Sequence, residues 1–176
     1  KYYNEDRQNV VMDICGGHSG PGGVYHYHWD LNCAYWIPGP GEDMTDYHWT
    51  KINGSQHSPI IGWSFDGYPI YGMYGWDESQ NIAAVDSSYQ LKPGADGYDG
   101  IDDWDYVHGM GDLDECNGMF GPTPEYPEGI YHYVSTPLSG STNTHVDTDG
   151  NTVAMVGFPY FQLCYYGEAT GGPKGG

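Results

Sequence analysis

Residues 22–29 read GGVYHYHW, and residues 128–135 read EGIYHYVS. In both stretches a glycine and a β-branched residue precede Tyr-His-Tyr, which is typical of a short aromatic β-strand. Side chains alternate between the two faces of a strand, so His26 and His28 share one face. If the two stretches form neighbouring strands with matching faces, His132 lies opposite His26 and the three imidazoles converge on one ion.

Zinc and copper both accept imidazole ligands, and a site with three histidines leaves one coordination position open. We therefore predict a zinc or copper site at the three histidines of the repeated phrase, with His57 as a fourth candidate ligand. The alternative interpretation is that these imidazoles pack between tyrosines and hydrogen-bond to backbone or hydroxyl groups. The sequence leaves both interpretations open.

The rest of the chain predicts an all-β or β-dominated domain. Apolar residues never keep helical spacing for three turns. The predicted strands are Val10–Ile14, Val24–Trp29, Ile60–Phe65, Ile70–Tyr74, Ile130–Ser135 and Val153–Val156, each bounded by Gly, Pro, Asn or Asp. Asp66-Gly67 favours a tight turn between two of them. We expect a compact sandwich or barrel-like arrangement of short strands, with long Gly- and Asp-rich loops at 92–112 and 139–152.

The charge of the chain points to cations. It has 24 acidic and 5 basic residues and a formal net charge of −19, which disfavours nucleic acid and anionic membrane surfaces as partners. Oxygen side chains at alternate positions with a glycine at the turn are typical of calcium loops, although Asp-Gly pairs are also ordinary turn chemistry. One candidate calcium site is Asp147, Asp149 and Asn151. The other is the Asp96–Asp105 stretch, which includes Asp99.

Four cysteines, none of them in a Cys-x-x-Cys pair, suit an oxidising compartment. Three pairings are possible from the sequence. We favour Cys15–Cys33 with Cys116–Cys164, because each of these pairs closes a loop within one half of the chain.

Two further features favour a secreted protein. Asn53 begins an Asn-Gly-Ser triplet, the acceptor pattern for N-glycosylation. The sequence starts at Lys1 with neither a methionine nor the apolar segment of a signal peptide, so we expect a removed leader or an excerpt of a longer protein. No apolar run approaches the roughly 20 residues of a membrane span. The predicted location is therefore extracellular or at the cell surface.

Taken in order, the motifs of residues 13–167 resemble those of the YHYH-domain proteins. They are Cys15-Gly16-Gly17-His18, Tyr25-His26-Tyr27-His28, His57-Ser58-Pro59-Ile60-Ile61-Gly62, Phe65-Asp66-Gly67-Tyr68-Pro69-Ile70-Tyr71-Gly72, Leu113-Asp114-Glu115-Cys116-Asn117-Gly118, Gly129-Ile130-Tyr131-His132-Tyr133 and Phe158-Pro159-Tyr160. The resemblance implies a single YHYH-type domain over residues 1–170, followed by a Gly-rich C-terminal tail at 171–176. It also implies a secreted or surface-attached module, and it implies no particular activity.

Three classes of function fit these residues. The one we favour is an extracellular metal-binding structural or adhesive module, a candidate subunit of an extracellular assembly. The second is a metal-dependent enzyme that uses the histidines with Asp114 or Glu115 as general base, but the sequence has no nucleophile elbow, HExxH or phosphate loop. The third is a carbohydrate-binding module with exposed aromatic side chains. We expect self-association, or partners among extracellular proteins and glycans.

Overall fold

The computed structural model describes residues 3–5, 10–27, 31–77, 79–95, 100–136, 144–146, 152–154 and 162–170. Short strands dominate this part of the chain, which confirms the predicted β-dominated fold class. The strands are β1 (Tyr3–Glu5), β2 (Val10–Met12), β3 (Gly17–Ser19), β4 (Tyr25–Tyr27), β5 (Ile60–Trp63), β6 (Pro69–Tyr71), β7 (Tyr74–Trp76), β8 (Ile82–Ala84), β9 (Tyr89–Leu91), β10 (Trp104–Tyr106), β11 (Gly118–Gly121), β12 (Ile130–Val134), β13 (Thr144–Val146) and β14 (Thr152–Ala154). Its 3₁₀ helices are Pro21–Gly23, Leu31–Tyr35, Met44–Asp46, Trp49–Lys51 and Gly100–Asp103.

A four-stranded mixed sheet in the order β11-β12-β6-β5 contains the most buried strand of the described fold. β12 is antiparallel to β11 and parallel to β6, while β6 is antiparallel to β5. The connection between β5 and β6 is a tight turn in which the Gly67 N–H donates to the Ser64 carbonyl at 2.9 Å. Gly67 has a φ of 86°, a left-handed conformation that glycine adopts without steric cost. The turn predicted at Asp66-Gly67 is therefore confirmed.

The other described strands form two-stranded antiparallel sheets: β1–β2, β3–β4, β7–β8, β9–β10 and β13–β14. Two of these sheets correct the loop prediction. β10 lies within the Asp-rich segment 92–112 because Trp104 is only 4% exposed and packs against Tyr89 of the neighbouring strand. Burial of this aromatic pair outweighs the turn-forming composition around it. β13 lies within the polar segment 139–152 and pairs in register with β14.

The core is centred on β12. Tyr131 and Tyr133 pack with Cys116 on one face of the strand. Val134 packs with Val85 on the other face. Each such burial contributes roughly 1.5–3 kcal/mol relative to exposure, so this short strand contributes a large share of the hydrophobic stabilisation.

Both predicted disulfides are present, Cys15–Cys33 and Cys116–Cys164. The first one connects the β3–β4 hairpin to the central sheet through Asn32, which is fully buried beside Cys33. The Asn32 amide donates to the Ser135 carbonyl at 3.1 Å, and its oxygen accepts from the Met73 N–H at 2.9 Å. The disulfide and this buried amide together fix the N-terminal hairpin to the core.

Candidate functional site

The two Tyr-His-Tyr phrases occupy the second strands of two equivalent hairpins. In the β3–β4 hairpin His26 pairs with His18, and in the β11–β12 hairpin His132 pairs with Met119. The two phrases therefore do not form neighbouring strands of one sheet. Each phrase instead pairs with the strand immediately before it, because a short hairpin connection closes at lower entropic cost than pairing across a hundred residues.

An aspartate turn precedes β11 and lies at the open end of the β11–β12 hairpin. Asp114 Oδ1 accepts from the N–H groups of Cys116 at 2.9 Å and Gly118 at 3.0 Å. Its other oxygen accepts from the Tyr131 hydroxyl at 2.8 Å. A side chain on Gly118 would collide with the end of the Tyr131 ring, so this position requires glycine. The carboxylate is thereby committed to the turn, which disfavours Asp114 as a general base.

The β3–β4 hairpin repeats this turn. Asp13 Oδ1 accepts from the N–H groups of Cys15 at 2.8 Å and Gly17 at 3.0 Å, and Asp13 Oδ2 accepts from the Tyr25 hydroxyl. A side chain on Gly17 would likewise collide with the ring of Tyr25. The two hairpins therefore have the same set of turn hydrogen bonds. They differ in burial, because Tyr25 is 48% exposed whereas Tyr131 is 4% exposed.

Sequence reasoning missed this role of the two aspartates. The available signal is the pattern Asp-x-Cys-x-Gly-x-x-Gly-Pro, which occurs at residues 13–21 and again at 114–122. The repeat is thus longer than the Tyr-His-Tyr phrase, and its first half supplies the turn and one cysteine of each disulfide.

Tyrosine hydroxyls and carboxylates form the polar part of the core. The Tyr133 hydroxyl donates to Asp66 at 2.5 Å and accepts from the Tyr166 N–H at 2.8 Å. The Tyr131 ring stacks on the Tyr166 ring with centroids 3.8 Å apart. Burial raises the pKa of the Tyr131 hydroxyl, and its hydrogen bond to Asp114 raises that pKa further. Burial and the bond to Asp66 raise the pKa of Tyr133 in the same way.

These raised values predict a loss of stability in alkali. Each folded-state pKa lies above the unfolded value of about 10, so above that pH the unfolded chain releases protons that the folded chain retains. We expect the free energy of unfolding to fall as pH rises above about 10, and Tyr131→Phe to reduce that fall. Urea unfolding at a series of pH values, with tyrosinate absorbance as a second readout, measures both effects. The exposed Tyr165 supplies the control Tyr165→Phe, and an equal change in both variants would contradict the prediction.

His132 and His57 both contact the Tyr71 ring edge-on. The ring centroid of His57 is 5.1 Å from that of Tyr71, and the centroid of His132 is 5.2 Å from it. The Nδ1 atom of His132 lies 3.0 Å from the Ile130 carbonyl, and that of His57 lies 2.8 Å from the Ser58 carbonyl. A carbonyl oxygen only accepts, so Nδ1 carries the proton in both rings. In the neutral rings Nε2 therefore holds a lone pair.

His57 and His132 line one cavity of about 150 Å³, together with Met119. A Cβ added to Gly75 would lie 4.0 Å from His57 Nε2. A Cβ added to Gly121 would lie 3.9 Å from His132 Cε1 and 3.7 Å from the Met119 methyl group. Both glycines line the cavity, and a side chain on Gly75 would also collide with Val85 at 2.9 Å. Burial lowers the pKa of His132, and the nearby His57 lowers it further, so the neutral ring is favoured.

The remaining predicted ligands fall elsewhere. His26 lies in the β3–β4 hairpin, where its ring centroid is 4.5 Å from that of His18. In the described part of the chain, no three His, Cys, Asp or Glu side chains form a group that would hold a metal ion. Outside the described residues lie His28, Asp96, Asp99, Asp147, Asp149, Asn151 and the tail at 171–176. The predicted calcium sites and the three-histidine site stay predictions.

A wider cleft of about 850 Å³ lies beside the histidine cavity. His57 and Trp76 line both spaces. Trp36 lines the cleft but not the histidine cavity. Asn53, the predicted glycosylation site, is exposed at this cleft, and its Oδ1 accepts from the Ser55 N–H at 3.0 Å. Its glycosylation stays a prediction.

Comparisons with known proteins agree with the motifs. Within the described residues, no helix is both long enough and apolar enough to cross a membrane. Searches of curated proteins and of solved structures each found no match. The family model described as "YHYH protein" matches residues 3–146, a span that includes both hairpins and the central sheet. The chain therefore belongs to the YHYH protein family.

Proposed function

We propose that this protein is an extracellular structural module that holds a metal ion between His57 and His132. The observation that carries the proposal is the pair of imidazoles, each with Nδ1–H donated to a backbone carbonyl, in front of one cavity. Metal-binding histidines characteristically donate their second ring N–H in this way, which sets the tautomer and the ring orientation. The two imidazole rings are therefore already oriented before an ion binds, so little conformational entropy is lost on binding.

The third side chain at the cavity favours copper over zinc. Met119 pairs across the β11–β12 hairpin with His132 and lines the cavity with both histidines. A thioether is a soft ligand that selects copper(I), whereas zinc is bound mostly by imidazole, thiolate and carboxylate. Two imidazoles and a thioether thus form a donor set for copper(I), and zinc is the weaker alternative.

Burial of this site supports a structural role. His132 is only 3% exposed and His57 is half-buried, and the cavity of about 150 Å³ is also lined by Trp76, Asp77, Phe120 and Pro122. A catalytic metal needs a coordination position that water and substrate can reach. An ion that joins His57, before β5, to His132 of β12 instead acts as a cross-link between the two segments.

The extracellular location rests on independent features. Both disulfides favour an oxidising compartment, and the net charge of −19 favours solubility and cation binding. Partners of such a module are other extracellular proteins, glycans or further copies of the chain.

Metal binding by the purified protein tests the proposal. Elemental analysis without added metal comes first, followed by titration with copper(I) against a chromogenic chelator and by zinc titration. We expect His132→Ala and His57→Ala each to weaken copper(I) binding by about tenfold or more. Met119→Leu keeps the volume, so it should weaken copper(I) binding with little effect on zinc.

The controls lie in the other hairpin. His18→Ala should leave the affinity unchanged, while His26→Ala tests whether His26 belongs to the same site, as the sequence predicts. Wild-type protein that binds neither copper(I) nor zinc, or His57 and His132 variants that bind as the wild type does, would refute the proposal.

A further inference from the structure

The cleft of about 850 Å³ has the size and lining of a ligand site rather than of a packing defect. Small-molecule sites are typically about 300–1,000 Å³ and combine aromatic surface with a few polar groups. Here the aromatic surface comes from Trp36, Trp76 and Tyr35, and the polar groups come from other segments of the chain. His57 and Trp76 line both the cleft and the histidine cavity, whereas Trp36, Asn53 and Gln56 line the cleft only.

The two indole rings of the cleft are held in place by their neighbours. Trp36 contacts the Tyr47 ring edge-on with centroids 5.5 Å apart, and the Lys51 ammonium lies 5.6 Å from the centroid of the Trp36 ring. Trp76 contacts His57 edge-on with centroids 5.0 Å apart. Both rings are partly exposed. A ligand that stacks on them therefore meets pre-oriented surfaces and orders few side chains on binding.

The polar groups around these rings offer both donors and acceptors. Asn53 and Gln56 are exposed amides, each with an acceptor oxygen and a donor NH₂ group. Glu125 is exposed, and one of its carboxylate oxygens accepts from the buried Tyr71 hydroxyl at 2.8 Å. Lys51 is paired with Glu42 at 2.6 Å, so the cleft presents no unpaired lysine to an anion.

This combination matches one ligand chemistry. A sugar ring has an apolar C–H face that packs on an indole and hydroxyl edges that need both donors and acceptors. The net charge of −19 repels polyanions, which disfavours uronic acid or sulfated polysaccharides. We propose that the cleft between Trp36 and Trp76 binds a neutral oligosaccharide. This proposal does not depend on the proposed metal function.

Such a glycan has two possible sources. It is either a segment of a separate polysaccharide or the glycan attached to this chain at Asn53, which lines the same cleft. Ser55→Ala removes the acceptor triplet but keeps Asn53 and the backbone N–H that binds it, so it separates the two sources.

The test uses metal-free protein from a glycosylating host and a panel of neutral oligosaccharides: cello-, malto-, manno- and chito-hexaose. Calorimetry and tryptophan fluorescence report binding. We expect at least one member to bind and Trp36→Ala to weaken it by about tenfold or more. Gln56→Ala is a milder second variant, and circular dichroism checks that each variant folds. The matched control is Trp63→Ala, since Trp63 is 58% exposed and lies outside the cleft lining.

The outcomes are distinct. If the wild-type protein binds an added oligosaccharide, the ligand is a separate polysaccharide. If only the Ser55→Ala variant binds one, the glycan attached at Asn53 occupies the cleft of the wild-type protein. The proposal is overturned if neither protein binds any sugar, or if Trp63→Ala weakens binding as much as Trp36→Ala.

Discussion

Asp114→Ala is expected to destabilise the protein by about 2–4 kcal/mol, because one carboxylate satisfies three donors in the most buried hairpin. Loss of the carboxylate leaves two backbone N–H groups and the Tyr131 hydroxyl without their acceptor. Tyr131 is 4% exposed, so water does not readily replace the bond. Urea unfolding followed by tryptophan fluorescence and circular dichroism measures the change in free energy.

The first hairpin supplies a matched control. Asp13 makes the same set of bonds, but its tyrosine partner is 48% exposed and regains a hydrogen bond from water. We therefore expect Asp13→Ala to cost only about 1 kcal/mol. Asp114→Asn keeps an acceptor oxygen for the backbone N–H groups and should fall between the wild type and Asp114→Ala. Equal losses for Asp13→Ala and Asp114→Ala would show that burial of the hydroxyl does not govern the effect.

Replacing Cys116 and Cys164 together with serine is expected to cost about 4 kcal/mol. This disulfide closes a loop with a sequence separation of 48, and its main effect is to restrict the unfolded chain. Cys116 is also buried in the aromatic cluster beside Tyr131 and Tyr133, so the serine hydroxyl adds a desolvation cost.

The other disulfide is the control for the chain-entropy argument. Cys15–Cys33 has a sequence separation of 18, which predicts a loss of about 3 kcal/mol when both cysteines are replaced. Calorimetric and urea unfolding of the two double variants gives the comparison. A larger loss from the shorter loop would mean that native contacts, rather than loop entropy, set the contribution of each disulfide.

Short-range patterns in the sequence predicted much of this fold. Alternating aromatic and β-branched residues located the strand at Ile130–Val134, and Asp66-Gly67 located the turn between β5 and β6. The disulfide pairing was favoured correctly because both bonds join cysteines in the same half of the chain. In each case the deciding interaction lies within the segment or spans a modest loop.

The strand at Trp104–Tyr106 shows where that reasoning fails. Its Asp- and Gly-rich surroundings predicted a loop, but contact with Tyr89 buries Trp104 and forms a sheet. Composition reports local preference, whereas the burial of one indole depends on a partner strand outside the segment 92–112.

The sequence also predicted only part of the candidate site, and the tertiary structure decided the rest. The repeated Tyr-His-Tyr phrase and the alternation of side chains were sufficient to single out His26 and His132 as chemically important positions. Strand pairing then set His26 beside His18, and put His132 with His57 and Met119 at one cavity. Alternation assigns a histidine to a face of its own strand, but the second histidine on that face comes from a separate segment. Only the free energy of packing the whole chain selects that neighbour.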